Sequence, residues 1–174
     1  MKIRIIGSCG SGKSSAAMML SMRYGIPFYE MDNLVWDRTF PENRRRPEAE
    51  RNAMLLEIMN KDAWIIEGVH SAWGLESFAM ADLIFILHPH VLVRDYRILR
   101  RFFRSRTGIE PWNYKQSVRN LWKMIVKWNH GFDLADTLEL TSEHSAKRYI
   151  VRSREDMDVH IRSRFGNVTA AKSV

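Results

Sequence analysis

The chain has 174 residues, one cysteine and a formal net charge of +7. This length is typical of a single domain, and it is large enough to bury a core without disulfides or a structural metal. One cysteine excludes an intramolecular disulfide and favours a reducing compartment. No apolar run is long enough to span a bilayer, and no signal-peptide pattern precedes the first folded segment. We therefore expect a cytoplasmic protein without a membrane partner.

The positive charge is concentrated in one segment of the chain. Residues 94–128 carry 10 basic and 2 acidic side chains, whereas residues 1–93 carry 10 and 11 and residues 129–174 carry 7 of each. We therefore expect an anionic partner to contact the protein at residues 94–128.

Short apolar runs alternate with helical repeats along the chain. Strands are predicted at residues 2–6, 27–29, 63–66, 82–87 and 149–151. Helices are predicted at residues 13–24, 48–60, 71–80, 91–106, 113–128 and 155–164, with a loop at 38–47. This alternation predicts an α/β domain over residues 1–166, with a parallel sheet covered by helices on both faces and a flexible tail at 167–174. In such a sheet, ligands bind beyond the carboxyl ends of the strands.

Helical spacing also predicts which helix faces are buried. In helix 48–60 the predicted inner positions are Ala53, Leu56 and Met59. In helix 91–106 an apolar stripe is predicted to face inward, with arginines opposite it; the stripe is Leu92, Tyr96, Leu99 and Phe103, and the arginines are Arg94, Arg97, Arg101 and Arg104. Helix 113–128 has a predicted inner stripe of Tyr114, Val118, Leu121, Ile125 and Trp128, and an outer one of Lys115, Arg119, Lys123 and Lys127.

The segment after the first predicted strand fits the pattern G-x-x-x-x-G-K-[ST]. Its residues are Gly7, Ser8, Cys9, Gly10, Ser11, Gly12, Lys13 and Ser14. The glycines allow backbone N–H groups to turn inward around a polyphosphate, and the start of the following helix adds a positive dipole. Lys13 can reach the β- and γ-phosphates, and the Ser14 hydroxyl can bind Mg²⁺. The pattern predicts a site for ATP and Mg²⁺, in which we include the adjacent Ser15.

Three segments together resemble one bacterial family. They are the glycine-rich loop, the run IPFYEMDNLVW at residues 26–36 and the run WIIEG at residues 64–68. These runs resemble the bacterial DNA topology modulation proteins, a branch of the nucleotide-kinase-like P-loop proteins, over residues 1 to about 164. The resemblance implies a three-layer sandwich with a five-stranded parallel sheet, as in adenylate or shikimate kinases. It also implies ATP and Mg²⁺ binding, an acceptor-binding arm at about 33–60 and a helical, arginine-rich lid at about 94–128.

Three carboxylates are expected near the γ-phosphate. Glu30 and Asp32 resemble the D-x-D of shikimate-type kinases, and strand-like alternation would place both on one side of an extended segment. We assign Asp32 to the acceptor hydroxyl, as orienting group or base, and Glu30 to a water-mediated metal contact. Glu67 resembles the metal or water ligand of adenylate-type kinases, although glutamate in place of aspartate favours contact through water. The alternative for each is a cap or a solvated charge, and Asp82, at the amino end of its strand, is predicted to be structural.

The basic segment has three interpretations. Adenylate- and shikimate-type kinases close an arginine-rich lid over ATP, and here Arg97, Arg101 and Arg104 would neutralise the transferring phosphoryl group. The alternatives are a nucleic-acid surface and a solvated helix face. Related kinases also fold a loop against adenine after the last strand, where Arg152 and Arg154 could stack on the base.

The sequence therefore predicts a kinase that moves the γ-phosphoryl of MgATP to a small-molecule acceptor: a nucleoside, a nucleotide or a small hydroxylated metabolite. In that reading Lys13 stabilises charge on the phosphates, and the lid arginines exclude water and neutralise the transition state. The alternative is a nucleotide-regulated protein that associates with DNA or RNA through its basic helices and affects DNA topology, with little kinase activity.

Overall fold

The computed structural model describes residues 1–39, 44–70, 72–106 and 118–166. In chain order its strands are β1 (Lys2–Ile6), β2 (Phe28–Glu30), β3 (Trp36–Asp37), β4 (Arg44–Arg45), β5 (Trp64–Glu67), β6 (Leu83–Leu87) and β7 (Arg148–Val151). A five-stranded parallel sheet has the order β2-β5-β1-β6-β7, and β3 pairs with β4 in an antiparallel ladder. The predicted five-stranded parallel sheet is confirmed.

Helices lie between these strands. They are α1 (Lys13–Tyr24), α2 (Met31–Val35), α3 (Glu48–Met59), α4 (Glu76–Met80), α5 (Val91–Arg106), α6 (Val118–Trp122), α7 (Leu134–Leu140) and α8 (Arg154–Phe165). A π-helix, Lys123–His130, continues α6, and a 3₁₀ helix spans Ser142–Lys147. None of the helices in these ranges is long and apolar enough to cross a membrane.

The two faces of the sheet carry separate apolar cores. On one face, side chains of α1 and α8 pack on the strands; they include Ala16, Ala17, Leu20, Met157 and Ile161. On the other face, α3, α4 and α7 cover the sheet; they contribute Leu55, Ile58, Met59, Phe78 and Leu138. Because both faces are covered, the central strands are continuous apolar runs, as is typical of buried parallel sheets. The predicted three-layer α/β architecture is confirmed.

The strand register determines which residues meet at the ligand-binding edge. Ile5 of β1 lies opposite Glu67 of β5, and Glu67 lies opposite Glu30 of β2. The glycine-rich loop follows β1, so the loop and both glutamates share the carboxyl edge of the sheet. Asp82 lies at the opposite edge, where its Oδ2 accepts a hydrogen bond from the backbone N–H of Lys2 at 2.7 Å, which agrees with the structural role predicted for it.

Several predicted elements differ from the structure. Within the described part of the helix predicted at 71–80, only Glu76–Met80 is helical. Arg44–Arg45 of the predicted loop 38–47 forms β4, which pairs with β3 just before that loop. In α3 the buried side chains are Leu55, Ile58 and Met59, whereas Ala53 and Leu56 are exposed. This helix has two apolar stripes, and the one with the larger side chains is buried because it removes more apolar surface from water.

The orientation predicted for α5 is wrong. Arg94, Ile98 and Phe102 are buried, whereas the predicted inner stripe faces outward: Leu92 is 68% exposed, Tyr96 63%, Phe103 63% and Leu99 38%. The arginine side packs against the glycine-rich loop, whose oxygen and sulfur atoms accept hydrogen bonds from guanidinium groups. Amphipathic spacing distinguishes two faces of a helix, but it does not determine which face packs against the rest of the protein.

The helix after α5 is also rotated relative to the prediction. Val118 and Trp128 are exposed and Leu121 and Ile125 half-buried, whereas Met124 and Asn129 are buried. The predicted outer residues Arg119, Lys123 and Lys127 are exposed as expected. The buried Asn129 donates through Nδ2 to Asp95 Oδ1 at 2.6 Å, so a polar contact joins this helix to α5. Tyr114, Lys115 and the predicted tail at 167–174 lie outside the described residues.

Candidate active site

The glycine-rich loop is packed directly against α5. Gly10 has φ 74° and Gly12 has φ 99°, and residues with a Cβ rarely adopt these backbone conformations. A Cβ on Gly10 would lie 2.7 Å from the carbonyl oxygen of Arg94 and 2.8 Å from Cγ1 of Ile98. The glycine at this position is therefore required by the close approach of α5 as well as by the turn itself.

Lys13 lies inside the loop that precedes it. Its Nζ donates to the carbonyl oxygen of Ser8 at 2.9 Å, and the Ser11 backbone N–H donates to the same oxygen at 3.3 Å. Burial lowers the pKa of Lys13, and the negative charge of Glu67 opposes this shift. The loop thus curls around a buried ammonium group at the carboxyl edge of the sheet.

Ser14 and Glu67 form a pair of oxygen ligands beside Lys13. Ser14 Oγ donates to Glu67 Oε1 at 2.7 Å. Burial raises the pKa of Glu67, and the charge of Lys13 and the Ser14 hydrogen bond oppose this shift. Among the described residues, no cluster of three or more His, Cys, Asp or Glu side chains could hold a metal. Mg²⁺ is commonly bound by only one or two carboxylates together with phosphates and water, so the Ser14–Glu67 pair fits that ion.

Three arginines of α5 contact the loop. Arg94 Nη1 donates to Ser8 Oγ at 2.7 Å, and Arg97 Nη1 donates to the carbonyl oxygen of Ser11 at 2.6 Å. Arg101 Nη2 lies 3.7 Å from Cys9 Sγ. Of the predicted lid arginines, Arg97 and Arg101 thus meet the loop, and Arg104 is half-buried one turn further along the helix. Arg94 was missed as a site residue, although it shares the helical spacing of Arg97 and Arg101.

The predicted geometry of Glu30 and Asp32 is wrong. Glu30 is the last residue of β2, and Asp32 lies within α2, so the two do not alternate along an extended segment. Both carboxylates nonetheless act on Glu67, since burial raises the pKa of that residue and their charges raise it further. Glu30 accepts a hydrogen bond from Asn33 Nδ2 at 2.9 Å. Both residues nevertheless lie at the carboxyl edge, because α2 follows β2 directly.

Asp32 has a partner that the sequence analysis did not identify. Its Oδ1 lies 3.1 Å from His70 Nε2, and this hydrogen bond lowers the pKa of Asp32. The Asp32 side chain is still 60% exposed. The His70 ring packs edge-on against Trp73, with centroids 5.7 Å apart. The signal for His70 was its place just beyond the carboxyl end of β5, where ligands bind in parallel sheets.

The arginines after β7 are arranged differently from each other. Arg152 is exposed, and its backbone N–H donates to Asp156 Oδ2 at 3.0 Å. Burial lowers the pKa of His88, and the charges of Arg94 and Arg152 lower it further, so Arg152 lies within electrostatic range of His88. Arg154 begins α8 and pairs through Nε with Glu155 Oε1 at 2.9 Å.

Ser15, the last residue of the predicted nucleotide site, is exposed in the first turn of α1.

Comparisons with known proteins bear on the fold. No protein-family model matches this chain, and no curated protein sequence matches it. A shikimate kinase from Bacteroides thetaiotaomicron is 18% identical, with a TM-score of 0.52 over 94% of this chain and 96% of that one. A shikimate kinase from Acinetobacter baumannii, solved with shikimate, is 16% identical, with a TM-score of 0.53 over 95% and 93%. A gluconokinase from Sinorhizobium meliloti 1021 is 18% identical, with a TM-score of 0.49 over 89% and 85%. The two shikimate kinases show that this chain has a P-loop kinase-like fold.

Proposed function

We propose that this protein is a kinase that binds MgATP at residues 7–14 and transfers the γ-phosphoryl group to a small acceptor. The observation that carries the proposal is the 2.7 Å contact between Ser14 Oγ and Glu67 Oε1 beside the buried Lys13. It brings together two oxygens suited to Mg²⁺ and a cation suited to phosphate, at the sheet edge where ligands bind. A bare glycine-rich turn would not need the carboxylate or the buried lysine.

Within this proposal, each part of the loop has one task. MgATP supplies the phosphoryl group, and its metal neutralises charge on the phosphates. The loop amides and Lys13 would bind the phosphates, Ser14 and Glu67 would hold the metal, and Glu30 is proposed to act on it through water. Arg97 and Arg101 neutralise the charge that develops on the transferring group, with Arg104 as a third candidate. Arg152 and Arg154 are proposed to flank the adenine.

The acceptor is proposed to bind next to Asp32. Asp32 is exposed, lies within electrostatic range of Lys13, and is oriented by His70. A carboxylate in this position can accept the proton of an attacking hydroxyl or orient it. A small-molecule acceptor is supported by the fold relative from Acinetobacter, whose structure contains shikimate. Membership of the topology modulation family stays a prediction.

The nucleic-acid alternative has weaker support. It requires several arginines that face solvent, whereas on α5 Arg94 is buried and Arg101 half-buried against the glycine-rich loop, and the exposed Arg97 donates to the carbonyl oxygen of Ser11. The outward face of α5 carries exposed apolar side chains as well as the exposed Arg100 and Arg106. The exposed basic residues Arg119, Lys123 and Lys127 form a shorter stripe, which is typical of a solvated helix surface.

The test is an ATP-consumption assay of the purified protein against a panel of nucleosides, nucleotides and small hydroxy acids. We expect one acceptor class to stimulate turnover, and the same assay with Lys13→Met to show no stimulation. The nucleic-acid alternative is tested by measuring the affinity for duplex DNA at about 200 mM salt, where non-specific phosphate contacts are weak. Tight DNA binding at that salt, without stimulation by any acceptor, would contradict the kinase proposal.

A further inference from the structure

Arg4 is a buried cation in the middle of an apolar strand. It lies in β1 among Ile3, Ile5 and Ile6, and its exposed fraction is 0%. Burial lowers the pKa of Arg4 to about 10, opposed by the charge of Glu67, so the side chain is still a cation at neutral pH. Among the described residues no carboxylate lies within ion-pair distance of it. Burying a charge of this kind is costly unless hydrogen bonds compensate for the lost hydration.

The guanidinium group of Arg4 contacts three segments that carry the active site. Nη1 donates to the carbonyl oxygen of Ile5 at 2.7 Å and to that of Ile66 at 3.3 Å. Nη2 donates to the carbonyl oxygen of Gly68 at 3.4 Å and to Met31 Sδ at 3.0 Å. Ile5 precedes the glycine-rich loop, Ile66 and Gly68 flank Glu67, and Met31 precedes Asp32.

Arg4 and Glu67 lie on opposite faces of the sheet. The Arg4 side chain lies over the Phe78 ring, 5.0 Å from its centroid, on the face covered by α3 and α4. Glu67 points to the other face, where it accepts from Ser14 of α1. Arg4 therefore holds the backbone on both sides of Glu67 without touching the carboxylate. The space around Gly68 is also tight, since a Cβ there would lie 2.9 Å from Met31 Cβ.

Packing alone does not require an arginine at this position. An apolar side chain would fill the same core without the cost of burying a charge. Lysine would keep the charge, but its single ammonium group lacks the planar fork that reaches partners in several directions. The fork is what allows one side chain to bind carbonyl groups of β1, β5 and the residue after β5 together.

We propose that Arg4 is a positioning residue, which fixes the backbone on both sides of Glu67 and so directs that carboxylate toward Ser14 from the opposite face of the sheet. The role of Mg²⁺ in this inference rests on the proposed function, in which Glu67 holds that ion. The link between Arg4 and Glu67 does not depend on any ligand. The two parts are therefore tested separately.

The first test measures the link in the ligand-free protein. Urea unfolding is compared for wild type, Arg4→Met, Glu67→Gln and the double variant. If Arg4 acts through Glu67, the double variant loses clearly less stability than the sum of the two single losses. Additive losses would overturn the inference. The Arg4→Lys variant, which keeps the charge, replaces Arg4→Met in the same cycle if the latter does not fold.

The second test measures how Mg²⁺ changes the affinity for a fluorescent ATP analogue. Without Arg4, we expect the gain in affinity on adding Mg²⁺ to fall about 10- to 100-fold, the usual effect of losing a residue that orients a metal ligand. Affinity in EDTA should stay within about twofold of the wild-type value, because direct phosphate contacts remain. Arg4→Lys should recover only part of the gain.

The matched control is Ile84→Ala, which removes a fully buried side chain from β6 on the same face of the sheet. It should reduce stability without altering the effect of Mg²⁺. A full Mg²⁺ effect in Arg4→Met would overturn the positioning role while leaving the proposed function intact. If wild type binds no ATP analogue at all, the proposed function fails, and the unfolding cycle still decides whether Arg4 acts on Glu67.

Discussion

Lys13 and Glu67 are buried groups of opposite charge that interact electrostatically at the carboxyl edge of the sheet. Burial raises the pKa of Glu67 and lowers that of Lys13, and each charge opposes the shift of the other. Removing either charge weakens the electrostatic compensation of the other buried charge, which is costly. Their roles are therefore tested with substitutions that preserve side-chain volume.

The Lys13→Met variant should bind ATP about 10- to 100-fold more weakly than wild type, the effect of losing a hydrogen bond to a charged group. Titration calorimetry measures this, and the circular dichroism spectrum should be unchanged. The exposed Lys123→Met variant is the control and should bind ATP as wild type does. Wild-type affinity in Lys13→Met would contradict the assignment of the loop to phosphate.

Asp32→Asn should separate chemistry from nucleotide binding. With its proton acceptor removed, we expect turnover with the stimulating acceptor to fall about 10²- to 10⁴-fold, while ATP affinity stays within about twofold because Asp32 is not part of the loop. Steady-state kinetics and calorimetry measure the two quantities. Asp62→Asn, an exposed carboxylate after α3, is the control. An equal loss of ATP affinity would show that Asp32 acts on the nucleotide instead.

At the scale of elements, α5 determines much of the site. Its arginine side contacts the loop and its apolar side faces outward. Arg97 and Arg100 lie three residues apart on the same helix, but only Arg97 has a loop contact among those described. The pair therefore offers a direct comparison between an arginine at the loop and one on the exposed surface.

The Arg97→Ala variant should reduce turnover by about 10³-fold or more, as for arginines that stabilise a transferring phosphoryl group, with a much smaller effect on ATP affinity. Arg100→Ala should change neither quantity. Single-turnover and binding measurements on both variants make the comparison. Equal losses of turnover and of affinity in Arg97→Ala would assign Arg97 to ground-state binding.

The packing of α1 against α8 depends on a phenol. Tyr24 Oη donates to Asp158 Oδ1 at 2.5 Å, and burial together with this hydrogen bond raises the pKa of Tyr24 to about 12. Since the folded state keeps the proton that the unfolded state loses near pH 10, the stability from this group is complete below pH 10 and is lost as the pH rises to about 12. Urea unfolding at pH 9 to about 12 should show this fall. Tyr24→Phe should flatten it, and an unchanged slope would contradict the assignment.

At the scale of the whole molecule, ligand binding and folding are linked. A ligand that binds only the folded chain at about 100 times its Kd stabilises it by about 2.7 kcal/mol. For a chain of this length, that corresponds to a rise in Tm of about 5–11 °C. MgATP should produce such a rise in a thermal melt, and Lys13→Met should show much less. An unchanged Tm in wild type at saturating MgATP would contradict the proposed site.

The sheet, the glycine-rich loop and α1 could be predicted from the sequence alone. Each is encoded by neighbouring residues: apolar runs for buried strands, glycines for the turn, and a helical repeat ending at Gly25, whose backbone N–H donates to the carbonyl oxygen of Ser21. The order of strands and helices then placed Lys13, Ser14 and Glu67 at one edge, because parallel strands bring their carboxyl ends together.

Only the tertiary structure decided which face of α5 meets the loop, that Asp32 lies in a helix beside His70, and that Arg4 joins β1 to the ends of β5. These features depend on partners that are distant in the chain: Ser8 and Ser11 for the arginines, His70 for Asp32 and Gly68 for Arg4. Spacing along a helix or strand separates two faces. Which face packs inward is decided by the atoms that lie against it, and here hydroxyl, carbonyl and sulfur atoms of the loop accept hydrogen bonds from the arginine side of α5.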